Sequence, residues 1–293
     1  MTTTAAIAAD RAESSADWVG RSETREDRAD ARLADGMAAT LGVPHPGGGP
    51  WPPLWHWTLF QDWRPAEGLG PDGHPRRGGF LPPLHDLPRR MWAGGCLRFG
   101  GDIRTGDALR RESTVVRVEE KTGAASGRLV FVTVRHAIEG PRGPAVEEEH
   151  DLVYRGADTA AVRDADPPAV DWPGAAEATA RPDAVALFRY SALTGNGHRI
   201  HYDHPYATRE EGYPGLVVHG PLVATWLAAH APRVAGGGAA RLAAFSYRGL
   251  RPCFADRPLR LLGARDPGGG TIRLEARDDT GRTCQRAEAT LVA

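Results

Sequence analysis

Lysine occurs once in this chain, at Lys121, and cysteine three times, at Cys96, Cys253 and Cys284. The lone lysine sits in a turn-like Glu-Glu-Lys-Thr-Gly stretch, which argues against Schiff-base and lysine-base chemistry. The cysteines are far apart and none stands beside a histidine in sequence. A zinc cage, a disulfide framework and a cysteine nucleophile are therefore not indicated. An excess of one charge is also missing. Lys+Arg 36 against Asp+Glu 37 gives a formal net charge of −1, which leaves no footprint for nucleic acid or an anionic membrane. No apolar run approaches the roughly 20 residues that span a bilayer. Residues 1–30 mix acidic, basic and alanine residues without the apolar core of a secretory signal, so a cytoplasmic location is the default expectation.

What is present is an ordinary globular composition, 41% hydrophobic and 25% charged over 293 residues, enough for one large domain or two of common size. Arginine is plentiful, so any ligand phosphate must be held by arginine or by backbone N–H groups.

The chain reads as two similar halves. In the first, Leu33, Met37 and Leu41 recur at helical spacing within 26–40, and Gly42 ends the pattern. A Pro/Gly/Trp-rich stretch, 44–95, comes next. Extended runs at 114–118, 128–138 and 146–154 then read as antiparallel hairpins. An Ala/Asp/Pro-rich segment, 156–180, reads as a mobile linker. In the second half, 183–194 reads as a strand or a helix entry. Residues 220–230 read as a helix with Pro221 at its first position, where no N–H is needed. Extended runs at 243–250, 259–264, 271–277 and 283–292 close the chain. Ile103, Arg104, Asp107 and Leu109 are loosely echoed by Leu250, Arg251, Asp256 and Leu259, just ahead of strands in each half, which suggests two sheets wrapping two helices.

The densest chemistry lies in YSALTGNGHRIHYD, residues 190–203, and GLVVHGPL, residues 215–222. Asn196, His198, His201 and Asp203 are too many polar groups to bury without purpose. With DWVGRSE at 17–23, RRMWAGG at 89–95 and YPGLVVHG at 213–220, these segments resemble the hydratase motif of the MaoC-type hot-dog proteins. The chain is similar to their double-hot-dog branch, hydroxyacyl-thioester dehydratase type 2 and the mesaconyl-C4-CoA hydratase kind, over about residues 17 to 293. The resemblance implies an α+β double hot-dog fold, two curved antiparallel sheets each wrapping a central helix. It implies reversible hydration of a 2-enoyl thioester, or dehydration of a 3-hydroxyacyl thioester, on coenzyme A or acyl carrier protein, with no cofactor and no metal. The expected layout is a disordered 1–16, a non-catalytic hot-dog at 17–155 that shapes an acyl tunnel, a linker at 156–180, and a catalytic hot-dog at 181–293. The expected partners are the acyl-CoA or acyl-ACP substrate, with no nucleic acid and no membrane. A monomer and a homodimer both fit.

One departure stands out. Where the motif usually carries Asp, this chain has Asn196, and His198-Arg199 replaces Asn-Pro, while His201 keeps the histidine position. An amide does not exchange a proton at neutral pH, so the expectation is a single base. His201 would shuttle the proton, the Asn196 carbonyl would accept from the water while its NH2 donates, and the Gly220 N–H would meet the thioester oxygen at a helix start. Arg89 and Arg90 are read as grips for a carboxylate or phosphate, against a solvated basic loop. His198, Asp203 and Tyr190 complete the expected substrate-binding set, although His198 and Asp203 also have structural readings. His219 reads as a structural hydrogen-bond former, His74 and His85 as surface residues, and Trp51, Trp55 and Trp57 as core or tunnel wall. Arginines favour a short dicarboxylic acyl group and tryptophans a fatty chain, so the acyl group stays open. The competing functions are a hot-dog thioesterase or non-catalytic thioester-binding protein, and a metal hydrolase using His198, His201, Asp203 and His219.

Overall fold

The computed structural model describes residues 15–123, 127–156, 172, 174–237, 241–266, 268 and 270–292. The chain opens with a 3-10 turn, Ser15–Trp18, followed by strand β1, Ser22–Arg28, and helix α1, Ala31–Leu41. Asp30 caps α1 by accepting from the Arg32 N–H, and Gly42 ends it at φ 64°, a left-handed turn that glycine enters without steric cost. The helix expected over 26–40 thus starts five residues late, because residues 22–28 pair as a strand with β3, Ala108–Gly123.

Strand β2 spans Arg89–Phe99, β4 Gly127–Gly140 and β5 Gly143–Arg155. Residues 89–95 had been grouped with the Pro/Gly-rich stretch, yet they form the first part of β2. In the second half come β6, Ala176–Ala180; α2, Ala184–Thr194; α3, Gly220–Val234; β7, Arg241–Gly249; β8, Leu259–Arg265; β9, Ile272–Arg277; and β10, Thr283–Val292. Residues 176–180 had been assigned to the linker, but they pair with β8 at the sheet edge. The expectation for 1–16 lies outside the described residues except at Ser15 and Ala16. The rest of the linker, apart from Gly156, Trp172, Gly174 and Ala175, also lies outside them.

All ten strands form one antiparallel sheet in the order β1-β3-β4-β5-β2-β7-β10-β9-β8-β6. Each half has the same internal order, mirrored about the β2–β7 seam, and the echoed residues at 103–109 and 250–259 lead into the starts of β3 and β8. Gly94 and Gly95 lie at that seam. A Cβ on Gly94 would come within 2.6 Å of the Tyr247 carbonyl oxygen, and one on Gly95 within 2.3 Å of that of Glu149, so only glycine fits between these strands.

The halves differ in what they enclose. Helix α3 packs on β6 to β10 and is buried on nearly all sides through Leu222, Val223, Leu227, Ala228 and Ala231. In the first half, a single 3-10 turn, Trp55–Thr58, lies over β5, to which His56 and Trp57 are bonded through Glu148. One apolar core runs through both halves, from Met37 and Trp55 to Leu227 and Leu274. Among the described residues, no helix is long and apolar enough to cross a membrane.

Candidate active site

Helix α2 delivers the polar segment. Asp183 caps its start by accepting from Ala186 N–H. Gly195 ends it at φ 59°, and the N–H groups of Gly195 and Asn196 both return to the Ser191 carbonyl. The chain then turns through Arg199–His201, a single 3-10 turn.

Val217 holds the His201 ring and the preceding residue at once. The His201 Nδ1 donates to the Val217 carbonyl at 2.7 Å, while the Val217 N–H donates to the Ile200 carbonyl at 3.0 Å. The bond fixes the proton on Nδ1 and leaves Nε2 as the basic nitrogen. Burial lowers the His201 pKa to about 4, partly opposed by the Val217 bond, so the ring is neutral at pH 7. Behind it lies His219, ring on ring at 3.7 Å and 19° from parallel. His219 meets Ser191 Oγ through Nε2 at 2.8 Å, and burial drives it to the neutral form. Its structural reading therefore matches its position.

Asn196 departs from expectation. Its Oδ1 accepts from the His198 backbone N–H at 3.0 Å and closes a turn. The oxygen assigned to the water already accepts one backbone N–H and keeps a single further acceptor site, while the NH2 has both its donors for a ligand. Gly220 begins α3, and Pro221 has no N–H, so the Gly220 N–H heads the helix. A side chain at this position is excluded, because a Cβ would stand 2.6 Å from Trp92 Cε3.

Asn196, His198, His201 and Gly220 line a cavity of about 1470 Å³ that reaches into the first half of the chain. Arg89 and Arg90 line it too, from the start of β2 rather than from a loop. Arg89 pairs with Glu211 at 3.6 Å. Tyr190 is part of the wall: it is buried and meets His219 edge-on at 5.0 Å, so it backs the histidines. Asp203 does not line the cavity. It is bound by Arg199 at 2.7 Å and accepts from the Tyr206 N–H, which caps the π-turn Tyr206–Glu210. This removes Asp203 from the substrate-binding set. It also breaks up the supposed metal quartet, since His201 and His219 stack on each other while Asp203 faces Arg199.

The first half supplies residues that were read as surface. The loop around Asp72 and His74 lies against the 195–199 segment, with the Arg199 N–H donating to the Asp72 carbonyl at 2.9 Å. Gly73 packs so closely there that a Cβ would stand 2.0 Å from the Gly197 carbonyl oxygen. His74 bonds Asp72 at 3.0 Å and its ring lies 4.3 Å from that of His198, whose own ring meets His201 at 5.5 Å. Burial, then the neighbouring imidazoles, lower His198 to about 2. Asp72, His74 and His198 bring ligand-type atoms within 4.8 Å of one another and are the set among the described residues that could hold a cation. Sequence offered no signal for this, because Asp72 and His74 are over 120 positions away from His198 in a Pro/Gly-rich stretch.

The first half also sets polar groups among the apolar lining of the cavity. Glu148 is buried and takes the Trp57 indole N–H at 3.0 Å and His56 at 3.2 Å. Burial raises the Glu148 carboxyl, yet the bond to His56 and the nearby imidazoles win and lower it to about 2. His136, bonded to Ser113 at 2.8 Å, and His150 share the lining. The tryptophans do not make an alkyl tunnel. Trp51 and Trp55 are in the core, and Trp57 turns its N–H to Glu148.

The hydroxyacyl-thioester dehydratase type 2 family model matches residues 54–255. A mesaconyl-C(4)-CoA hydratase of Chloroflexus aurantiacus is 45% identical over 295 residues, covering 95% of this chain and 99% of the relative. The solved MaoC-like dehydratase from Phytophthora capsici superposes with a TM-score of 0.69 at 15% identity, over 93% of this chain and 96% of its own. A Mycobacterium tuberculosis protein with a double hot-dog fold does so with a TM-score of 0.54 at 16% identity, over 94% of this chain and 96% of its own. At such identities the structures speak to the fold, which is the expected α+β double hot-dog.

Proposed function

The chain belongs to the hydroxyacyl-thioester dehydratase type 2 family and is a hydro-lyase acting on CoA thioesters; on that premise we propose that it hydrates a short 2-enoyl-CoA bearing a second carboxylate, of the mesaconyl-C4-CoA kind, with His201 as the single base. The observation that carries the reading is His201 itself: neutral, clamped at Nδ1 by Val217, with Nε2 left to a cavity that Asn196 and Gly220 also line.

The step balances on these groups. Water's oxygen bonds to Cβ as its proton passes to His201 Nε2. The π pair moves through Cα toward the thioester oxygen, where the Gly220 N–H at the positive end of α3 steadies the enolate. The same proton returns from His201 to Cα, which leaves the ring neutral again. The Asn196 NH2 donates to the incoming oxygen and orients it.

The division of labour follows from composition. Residues 181–293 carry the chemistry, and residues 17–155 shape the cavity. Each buried methylene of a fatty chain would gain about 0.8 kcal/mol against an apolar wall, but here Glu148, His136 and His150 interrupt the apolar lining of Phe60, Phe131 and Ile138. The 45% identity to a hydratase named for a dicarboxylic acyl-CoA supports the same choice.

The test is a panel of crotonyl-, mesaconyl-C4-, itaconyl- and long-chain enoyl-CoA esters, following loss of the conjugated double bond and release of free thiol. The expected result is fastest hydration of a short dicarboxylic ester without thiol release. Preference for long chains would overturn the substrate reading, and thiol release in place of hydration would make the protein a thioesterase.

A further inference from the structure

Arg90, like the exposed Arg248, differs from most of the other cavity arginines. Arg89 is paired with Glu211, Arg111 lies 3.9 Å from Glu23, and Arg77 donates to the backbone carbonyls of Leu87 and Pro88. Among the described residues, Arg90 has neither an ion pair nor a hydrogen bond from its side chain, although it lines the cavity. It lies on β2 two positions before Trp92, on the same face of the strand, and Trp92 is the ring that leans on Gly220. Trp92 in turn meets the His150 ring edge-on at 6.0 Å, and the His150 Nε2 is buried without a hydrogen-bond partner among the described residues.

Arg90 acts on the same groups as several acids, none of which is paired with it among the described residues. Its guanidinium acts on His74, Arg77, His150 and His198, and pushes each toward its neutral form. Of those acids, Asp72 is engaged by the His74 ring and N–H, Glu148 by Trp57 and His56, and Asp151 by the Thr133 hydroxyl. The buried His150 nitrogen without a partner costs free energy until a group meets it, and the half-buried Arg90 guanidinium on the same cavity wall is free to take an anion.

The reacting skeleton supplies one at the required place. In mesaconyl-C4-CoA the free carboxylate is borne by the carbon that takes up water. It must therefore sit within about two bonds of the oxygen held by His201 and Asn196. His198, which feels Arg90, is the neighbour of both: its ring is 5.5 Å from that of His201, and its N–H bonds Asn196.

We infer that Arg90, assisted by His150 Nε2, is the receptor for the second carboxylate of the substrate and holds it beside the carbon that water attacks. This rests on the dicarboxylic reading given above. The receptor makes Arg90 a selectivity residue, drawn from the half of the chain that carries no base.

The experiment compares kcat/KM for mesaconyl-C4-CoA and crotonyl-CoA in the full-length protein and in the variants R90M, R90K and H150F. The expected result is a fall of about 100-fold in the mesaconyl-to-crotonyl ratio for R90M, mainly through KM, in line with the loss of a charge-assisted bond. R90K should fall between R90M and the parent. H150F, which keeps a ring against Trp92 but loses Nε2, should lower the same ratio by a smaller factor. If R90M weakens both esters alike, Arg90 holds a carrier phosphate or the fold, and the receptor is overturned while the hydratase reading stands. If R90M does not fold, an unchanged ratio in R90K and H150F overturns it equally. If the parent protein ignores mesaconyl-C4-CoA but hydrates crotonyl-CoA, the dicarboxylic reading itself has failed.

Discussion

His201 and His219 lie face to face, their ring centroids 3.7 Å apart, and of the two only His201 lines the cavity. His219 is tied to Ser191 and fully buried, while His201 is tied to Val217 and lines the cavity. Two such rings do not share a second positive charge in a dry site. The stack therefore makes His219 a positioning residue that keeps His201 flat, neutral and able to accept.

Replacing His201 by Ala removes the base, and a fall of about 10²–10⁴ in kcat/KM is expected from the usual worth of positioned acid–base groups. His219→Phe keeps a flat surface beneath the base but offers a π face to imidazolium. A smaller loss is expected, about tenfold, with the acid limb of the pH–rate profile moved to higher pH. A parent rate in folded H201A would remove the base assignment. An unmoved limb in H219F would reduce His219 to packing.

Stability should depend on pH in a window set by histidine. Burial depresses His201 to about 4 and His136 to about 3. The unfolded chain, with rings near 6.5, binds more protons than the folded one in between. The associated stability is present above about pH 6.5 and is lost as pH falls through the folded values. His201 alone contributes a slope of about 1.4 kcal/mol per pH unit within its window. Urea midpoints measured from pH 7 to 4.5 should fall steadily before ordinary carboxylates protonate. A flat midpoint across that range would contradict the neutral buried rings.

Asn196 gives a substitution with a clear sign. Asn196→Asp keeps an oxygen for the His198 N–H and offers a second one to the water, so the variant should fold and keep activity within about tenfold. Asn196→Leu loses both the turn acceptor and the donor and should fall by about 10² or more. A fall of about 10³ in Asn196→Asp would show that the NH2 donor is indispensable. Far-ultraviolet circular dichroism on both variants separates folding from chemistry.

Gly73 tests the contribution of the first half. It has φ 87° and stands where a Cβ would come 2.0 Å from the Gly197 carbonyl oxygen. Gly73→Ala should push the Asp72–His74 loop off the 195–199 segment. The cost in activity should exceed the cost in thermal midpoint, because the loop adds little core. Gly78→Ala, also at positive φ but with nothing within 4 Å of its Cβ, is the control for backbone strain alone. Equal losses in the two variants would show that docking against Gly197 is immaterial.

Much of the site was legible in order along the chain. Asn196, His201 and Gly220 fall within 25 consecutive residues, and local turns bring them together: Gly195 at the end of α2, the 3-10 turn at Arg199–His201 and Pro221 at the start of α3. The later strands were also readable. Residues 283–292 match β10 from end to end, because alternation in a half-buried strand is a property of neighbours. Asp203 misled because its partner, Arg199, is four residues away and competes with any ligand. Residues 89–95 misled because two glycines and a tryptophan resemble a loop until the seam with β7 explains them.

The sequence by itself determined the doubled plan and the start of α3 at Gly220, and its resemblance to a known motif singled out Asn196, His201 and Gly220 as candidates, while 183–194, left open between strand and helix, proved to be α2. The tertiary structure alone decided that Asp72, His74, Arg90, Glu148 and His150 reach the same cavity and interrupt its apolar lining. Those residues lie tens to over a hundred positions from His201. Only pairing across the β2–β7 seam and docking of the 70–77 loop bring them near, and no local pattern encodes a distance of that kind.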